Sequence, residues 1–299
     1  LKELKPTCLT DLAVITAINR PAPLSMQVHT EYKKYKDNPS LIKYIHPCLK
    51  PILEKTHSCI IFQEQVMKIT KELAGFSDEY ANKFRKATAK KIPELLQELR
   101  EKFIDGCVSK SGLTIEEANN YFSFIEGVSS YLFNSSHAHL YSFISYQTAY
   151  LKANYQHEYM CSVLNGCCDD SEKTQKYIEE SMRMGIMVKS PKINESSEKF
   201  TLSDSNEIVF GFSAIKGLGA KICDKIIKDR DKNGSYNSFM HFCKRVKPDK
   251  KTVVALLESN CFSEIESEPK KWLYLVDYLC SAISEYKKST KVDILDTMK

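Results

Sequence analysis

The stretch YLFNSSHAHLYSFISYQTAYLKANY spans residues 131–155. A short polar knot, Asn134-Ser135-Ser136-His137, runs straight into a long helical pattern with Leu140, Phe143, Ile144 and Leu151 on one side. That spacing predicts a helix with one apolar side. Ser136 or Ser135 serves as its N-cap, which turns the first-turn N–H groups back toward the knot. Backbone donors and the helix dipole both favour an anion there. With an imidazole and an Asn amide alongside, the knot suits a phosphate or the edge of a base. A capped core helix behind a polar loop fits the same residues.

Upstream, residues 9–18 read as a short helix stopped by Arg20-Pro21-Ala22-Pro23. Two prolines predict a rigid extended turn that leaves the Arg20 head free. Residues 31–50 look basic and irregular, with Lys33, Lys34 and Lys36 on one solvated edge. The apolar run Cys59-Ile60-Ile61-Phe62 suggests a buried strand feeding a helix over residues 63–74, closed by Gly75. Ser77 with Asp78 and Glu79 starts another helix, whose Ala81, Phe84 and Ala87 or Thr88 face inward. Arg85 and Lys86 lie on neighbouring sectors, and Lys90-Lys91 extend the positive end. Pro93 opens a long amphipathic helix ending near Gly112, and Thr114-Ile115-Glu116-Glu117 is a capping box for the next.

After the knot helix, a helix pair covers residues 158–164 and 171–184, closed by Gly185. Character then changes. Short strands are expected within residues 186–212 around turns at Ser190-Pro191 and Ser205-Asn206. Helices resume over residues 220–232, 238–245 and 250–258, and a last apolar helix over residues 272–283. Between strand and helix stands Ile215-Lys216-Gly217-Leu218-Gly219, a turn whose glycines let the backbone approach a phosphate. Lys216, Lys221 and Lys225 add charge there. Residues 216–251 hold eleven Lys and Arg against four Asp, a local +7 that leaves −2 for the remainder of a chain of net charge +5. A concentration of that sign points to a polyanion.

With 299 residues, 42% of them hydrophobic and 27% charged, the composition is that of a globular protein of one large or two ordinary domains. No apolar run approaches the roughly 18 residues of a membrane span and no signal peptide opens the chain, so a cytoplasmic protein without membrane contact is expected. A first residue of Leu1 instead of Met reads as part of a longer polypeptide. Eleven scattered cysteines without C-x-x-C suit reduced thiols, neither a disulfide framework nor a zinc site. The single D-x-D, Asp229-Arg230-Asp231, falls on a helix where residues two apart share no face, a poor metal pair.

Four segments in order carry a resemblance. They are Arg20-Pro21-Ala22-Pro23; Gln63-Glu64-Gln65-Val66-Met67; Arg85-Lys86-Ala87 leading to Lys90-Lys91; and Tyr131, Phe133, Asn134, Ser136, His137 with Tyr141 and Ser145-Tyr146-Gln147-Thr148. Together they resemble the fingers of the bacterial replicative DNA polymerase III alpha subunit. Residues 211–219, GFSAIKGLG, resemble its helix-hairpin-helix entry. The likeness covers about residues 1–262. Ser135 stands where the family has Lys, Ser130 and Leu132 replace two glycines, and Ala22 and Ala89 replace two more, as in a diverged copy of phage type.

The resemblance implies a mainly α fold: multi-helix polymerase fingers over residues 1–188, a small β element with a helix-hairpin-helix region over 189–262, and a C-terminal helix and tail over 263–299. It implies a nucleotide site at Arg20, Arg85, Lys86, Lys90, Lys91, Asn134, Ser136 and His137, lining one cleft, and a DNA site at Lys216, Gly217, Gly219, Lys221 and Lys225. Partners would be a DNA primer-template, an incoming dNTP, the palm and thumb upstream in the same polypeptide, and a sliding clamp reached through a downstream region. The family's carboxylates, which hold two Mg²⁺ for in-line attack, lie in the palm upstream of this segment, so no catalytic or metal residue is expected here. A sequence-independent DNA-binding module with no nucleotide role is the alternative, and an interaction remnant with neither site working is a third.

Overall fold

A computed structural model describes residues 1–90, 93–279 and 281. Two compact units divide between Ala149 and Tyr150. The first holds α1 (Leu9–Ile18), α2 (Pro21–Ser25), α3 (Val28–Asp37), α4 (Lys50–Leu53), α5 (Gln63–Ala74), α6 (Asp78–Lys90), α7 (Pro93–Ser111) and α8 (Ile115–Val128). Then α9 (Ser135–Asn154) runs through the division. The second unit adds α10 (Gln156–Gly166), α11 (Ser171–Arg183), α12 (Ala220–Asn233), α13 (Phe239–Val246) and α14 (Lys250–Glu258). Its strands are β1 (Val188–Lys189), β2 (Thr201–Leu202) and β3 (Ile208–Val209). The fold is mainly α, as the periodicity predicts.

In the first unit α5, α6, α7 and α8 pack around an aromatic centre. Phe84 and Phe122 meet edge to face at 5.3 Å, and Phe103 reaches Phe122 at 5.6 Å. All three are fully buried. Truncating one to Ala removes roughly 3–5 kcal/mol. Close approach sets the crossing of α7 over the end of α5: a Cβ on Gly106 would lie 2.0 Å from the Ala74 carbonyl oxygen, so only glycine fits. Thr114 caps α8 as its capping box requires, its hydroxyl accepting from the Glu117 N–H at 3.2 Å and its N–H donating to the Glu117 carboxylate at 2.9 Å.

Several local expectations change. The Arg20-Pro21-Ala22-Pro23 segment is no extended turn: Pro21 begins α2, because neither proline in a first turn forfeits a hydrogen bond the helix would make. Residues 31–37, within the stretch read as irregular, belong to α3, which is held by buried Val28 and Tyr32. Lys36 is an internal anchor and not a solvated charge. Its three donors go to the carbonyls of Leu4 (3.0 Å) and Lys5 (2.7 Å) and to buried Asp11 (2.6 Å). The run Cys59–Phe62 makes no strand, only one parallel bridge from Phe62 to Phe133.

The apolar side of α9 does not face a core. The helix buries Ala138 and Ser142, while Leu140, Phe143, Ile144 and Leu151 stand exposed. The Ser142 hydroxyl donates to the Ala138 carbonyl at 2.7 Å and lies 3.5 Å from the Thr16 hydroxyl of α1.

In the second unit β3 pairs parallel with β1 and antiparallel with β2, giving the order β1-β3-β2. Met160, Leu164, Ile186, Phe200 and Ile208 fill the core beneath this sheet. A second core joins α12, α13 and α14 through Phe212, Cys223, Phe239, Phe242, Leu256 and Phe262. The expected final helix begins as a 3-10 turn, Pro269–Leu275, and is helical over 276–279; residue 280 and those from 282 onward lie outside the described residues. Among the described residues no helix is long and apolar enough to cross a membrane, and the cysteines are free thiols. Burial pushes Cys107 and Cys261 up to about 12, so both stay protonated at neutral pH.

Candidate functional site

In the first unit, four of the named residues gather along one seam, where the start of α5 meets the segment entering α9. The Gln63 N–H donates to the Phe133 carbonyl at 2.9 Å, and the Phe133 N–H donates to Ile61 at 3.0 Å. Arg85 of α6 reaches the seam by donating to the Gln63 side chain at 3.2 Å, while Asn82 accepts from it at 3.0 Å. Arg20 lies over the Phe133 ring at 4.5 Å. The His137 ring stands edge-on to Phe133 at 5.4 Å and 4.6 Å from Tyr141. Asn134 donates to Glu64 at 2.9 Å.

The helix start differs from the sequence reading. Asn134, not Ser135 or Ser136, is the cap, because its Oδ1 accepts from the His137 N–H at 2.8 Å. Glu64 receives the Ser135 N–H at 2.9 Å. Two first-turn donors thus already face protein oxygens, one of them a carboxylate drawn to the positive end of the dipole. Ser136 and His137 are exposed. Arg20 is not free: it donates to the carbonyls of Ala17 (2.7 Å) and Tyr131, and burial lowers its pKa. Lys86 is exposed on α6, Lys90 ends that helix, and Lys91 lies outside the described residues.

Sequence reasoning gave Glu64 and Gln65 no task. Buried Gln65 accepts from the Ile61 and Phe62 N–H groups at 2.9 Å each and donates to Thr56 at 2.7 Å, which fixes the seam's entry. Gln65 makes half of a capping box by accepting the Phe62 N–H, and with Phe62 at the N-cap the sequence lacked the acceptor that would have signalled it. Beside the seam a cavity of about 410 Å³ is lined by Lys55, Lys68, Glu64, Ser135 and His139 among others.

In the second unit the hairpin forms as expected. The Leu218 N–H closes a turn onto the Ile215 carbonyl at 3.1 Å, with Gly217 at φ +101°, a conformation L side chains rarely adopt. Gly219 is the N-cap of α12, and a Cβ there would meet open space. Lys216 and Lys221 are exposed. Lys225 is engaged, donating to the carbonyl of Val246 at the end of α13. Asp229 is structural: burial pushes its carboxyl up, but hydrogen bonds from Tyr236 and Asn233 and the nearby Arg245 outweigh that and hold it low. Among the described residues no group of three or more His, Cys, Asp or Glu is placed to hold a metal.

Residues 1–111 match the bacterial DNA polymerase III alpha subunit finger domain, and residues 185–272 match a helix-hairpin-helix motif. The DNA polymerase III subunit alpha of Borreliella burgdorferi is 38% identical over 295 residues, covering 98% of this chain and 25% of that protein. That of Treponema pallidum is 36% identical over 265 residues, 88% of this chain and 22% of the relative. For Escherichia coli K12 the figures are 34% over 273 residues, 89% and 23%. The chain therefore spans about a quarter of the length of the relatives it matches. It belongs with the bacterial DNA polymerase III alpha subunits, carrying their finger domain over residues 1–111 and a helix-hairpin-helix motif over residues 185–272.

Proposed function

We propose that this chain is the finger and DNA-gripping part of a replicative DNA-directed DNA polymerase acting in the cytoplasm. In this reading the seam positions an incoming dNTP and the hairpin holds the primer-template by its phosphates. The observation that carries it is the meeting of Arg85, Arg20, Asn134 and His137 around Gln63 and Phe133, from three parts of the sequence. Arg85 and Lys86 supply positive charge, Lys90 and Lys91 continue it along the chain, and the exposed His137 ring and Asn134 lie beside them. Ser136 is the remaining hydroxyl of the set. Because Glu64 already answers the α9 dipole, the triphosphate relies on side-chain cations more than on the helix start.

The Asp229-Arg230-Asp231 segment does not fit a catalytic metal pair, since Asp229 is tied to Arg245 and Tyr236. In this proposal the Mg²⁺-binding carboxylates, the palm and thumb, and any contact with a sliding clamp lie in the rest of a longer polypeptide. One observation favours the second reading, a DNA-binding module without a nucleotide role: the Glu64 carboxylate at the α9 start repels a phosphate there. Primer extension with Mg²⁺ and all four dNTPs tests the first. The 299-residue chain gives background synthesis, and joining it to an upstream palm restores activity. Robust extension by the chain alone would overturn the assignment of its chemistry to another segment.

A further inference from the structure

The expectation that Lys225 joins Lys216 and Lys221 at the hairpin meets two facts. The Lys225 ammonium is bound to the last carbonyl of α13, where a cation satisfies the negative end of a helix. A different lysine lies at the hairpin. A Cβ built on Gly217 would fall 3.5 Å from Cε of Lys251 and 4.0 Å from its Cγ, so the Lys251 stem passes over the bare face of that glycine. The absence of a side chain at Gly217 thus serves two ends, the left-handed turn and the passage of this stem.

The placement of Lys251 points outward as well. It lies in the first turn of α14, whose N-terminus Asp249 already caps through the Thr252 N–H at 2.8 Å. A cation in a first turn is opposed by the dipole, so its charge does nothing for the helix. Its neighbour Lys250 pairs with Asp277, but Lys251 is exposed and, among the described residues, forms no ion pair. Lys216 and Lys221 share that condition.

We infer that Lys251 of α14, and not Lys225 of α12, is the further cation of the hairpin, so that a nucleic-acid backbone is held between Lys216 and Lys221 on the turn and Lys251 across Gly217. This rests on the hairpin being a DNA site. Each phosphate so neutralised releases counterions, and the site takes duplex DNA of any sequence.

The test is binding of the 299-residue chain to a fluorescent duplex of about 20 base pairs, over potassium chloride from about 50 to 250 mM. Lys251→Gln should lower the slope of log affinity against log salt by about 0.9 with an unchanged melting temperature, and Lys251→Arg should keep the slope. Lys225→Gln should keep the slope and lower the melting temperature. An unchanged slope in Lys251→Gln, or the loss appearing in Lys225→Gln instead, overturns the inference and leaves the hairpin reading standing. Salt-insensitive binding by the unsubstituted chain, or none, overturns both.

Discussion

Replacing Asn134 by Ala tests how the start of α9 is built. Asn134 accepts from the His137 N–H at 2.8 Å and donates to Glu64 at 2.9 Å. Losing a cap of this kind costs about 1 kcal/mol. The bond to Glu64 is solvent-exposed and adds at most about 1 kcal/mol more. The first unit should therefore lose about 1–2 kcal/mol, a fall in melting temperature of roughly 2–8 °C. Ser136→Ala should change stability by less than about 0.5 kcal/mol, because Ser136 is exposed and is not the cap. Urea unfolding followed by circular dichroism separates the two. Destabilisation by Ser136→Ala with Asn134→Ala silent would show that the cap is misassigned.

Three further outcomes follow from the same structure. Asp11 is buried against Lys36; burial raises its pKa, but bonds from Lys36, Thr7 and Tyr32 outweigh this and hold it well below the usual carboxylate range. Its stabilising effect is therefore full above the unfolded pKa of about 3.9 and is lost as pH falls through the depressed folded value, so Asp11→Asn should flatten acid unfolding below about pH 4. Breaking the pair by Asp11→Ala should cost on the order of 3 kcal/mol at neutral pH, measured by urea unfolding. On α9, Phe143→Ser should leave the melting temperature nearly unchanged, whereas Ala138→Leu should lower it by overpacking, with a cost of about 1–3 kcal/mol.

The helices of the first unit were legible where a local signal marked them, as in the Thr114-to-Glu117 capping box and the Gly75 that ends α5. What escaped was whatever depends on partners distant in sequence. Leu140, Phe143, Ile144 and Leu151 recur with helical period, yet period alone does not say whether a stripe meets a core, and here it meets solvent. Lys36 looked like a surface charge because Asp11 stands 25 residues away. Glu64 and Asn134 are 70 residues apart, so no window shows that a carboxylate answers the α9 dipole. The hairpin was readable because Gly217 is demanded by the backbone itself, whereas the tie of Lys225 to the Val246 carbonyl is a contact between helices that no local window shows.

The central claim, that the seam handles the triphosphate, is tested most directly by dNTP kinetics in a polypeptide joining this chain to the remaining three quarters of an alpha subunit. Arg85→Ala and His137→Ala should each raise the dNTP KM by about tenfold or more, the scale of one lost charge-assisted contact, while the affinity for primer-template is unchanged. Unchanged dNTP KM in both variants, with DNA binding intact, would contradict the claim and leave a protein that grips DNA without handling the nucleotide.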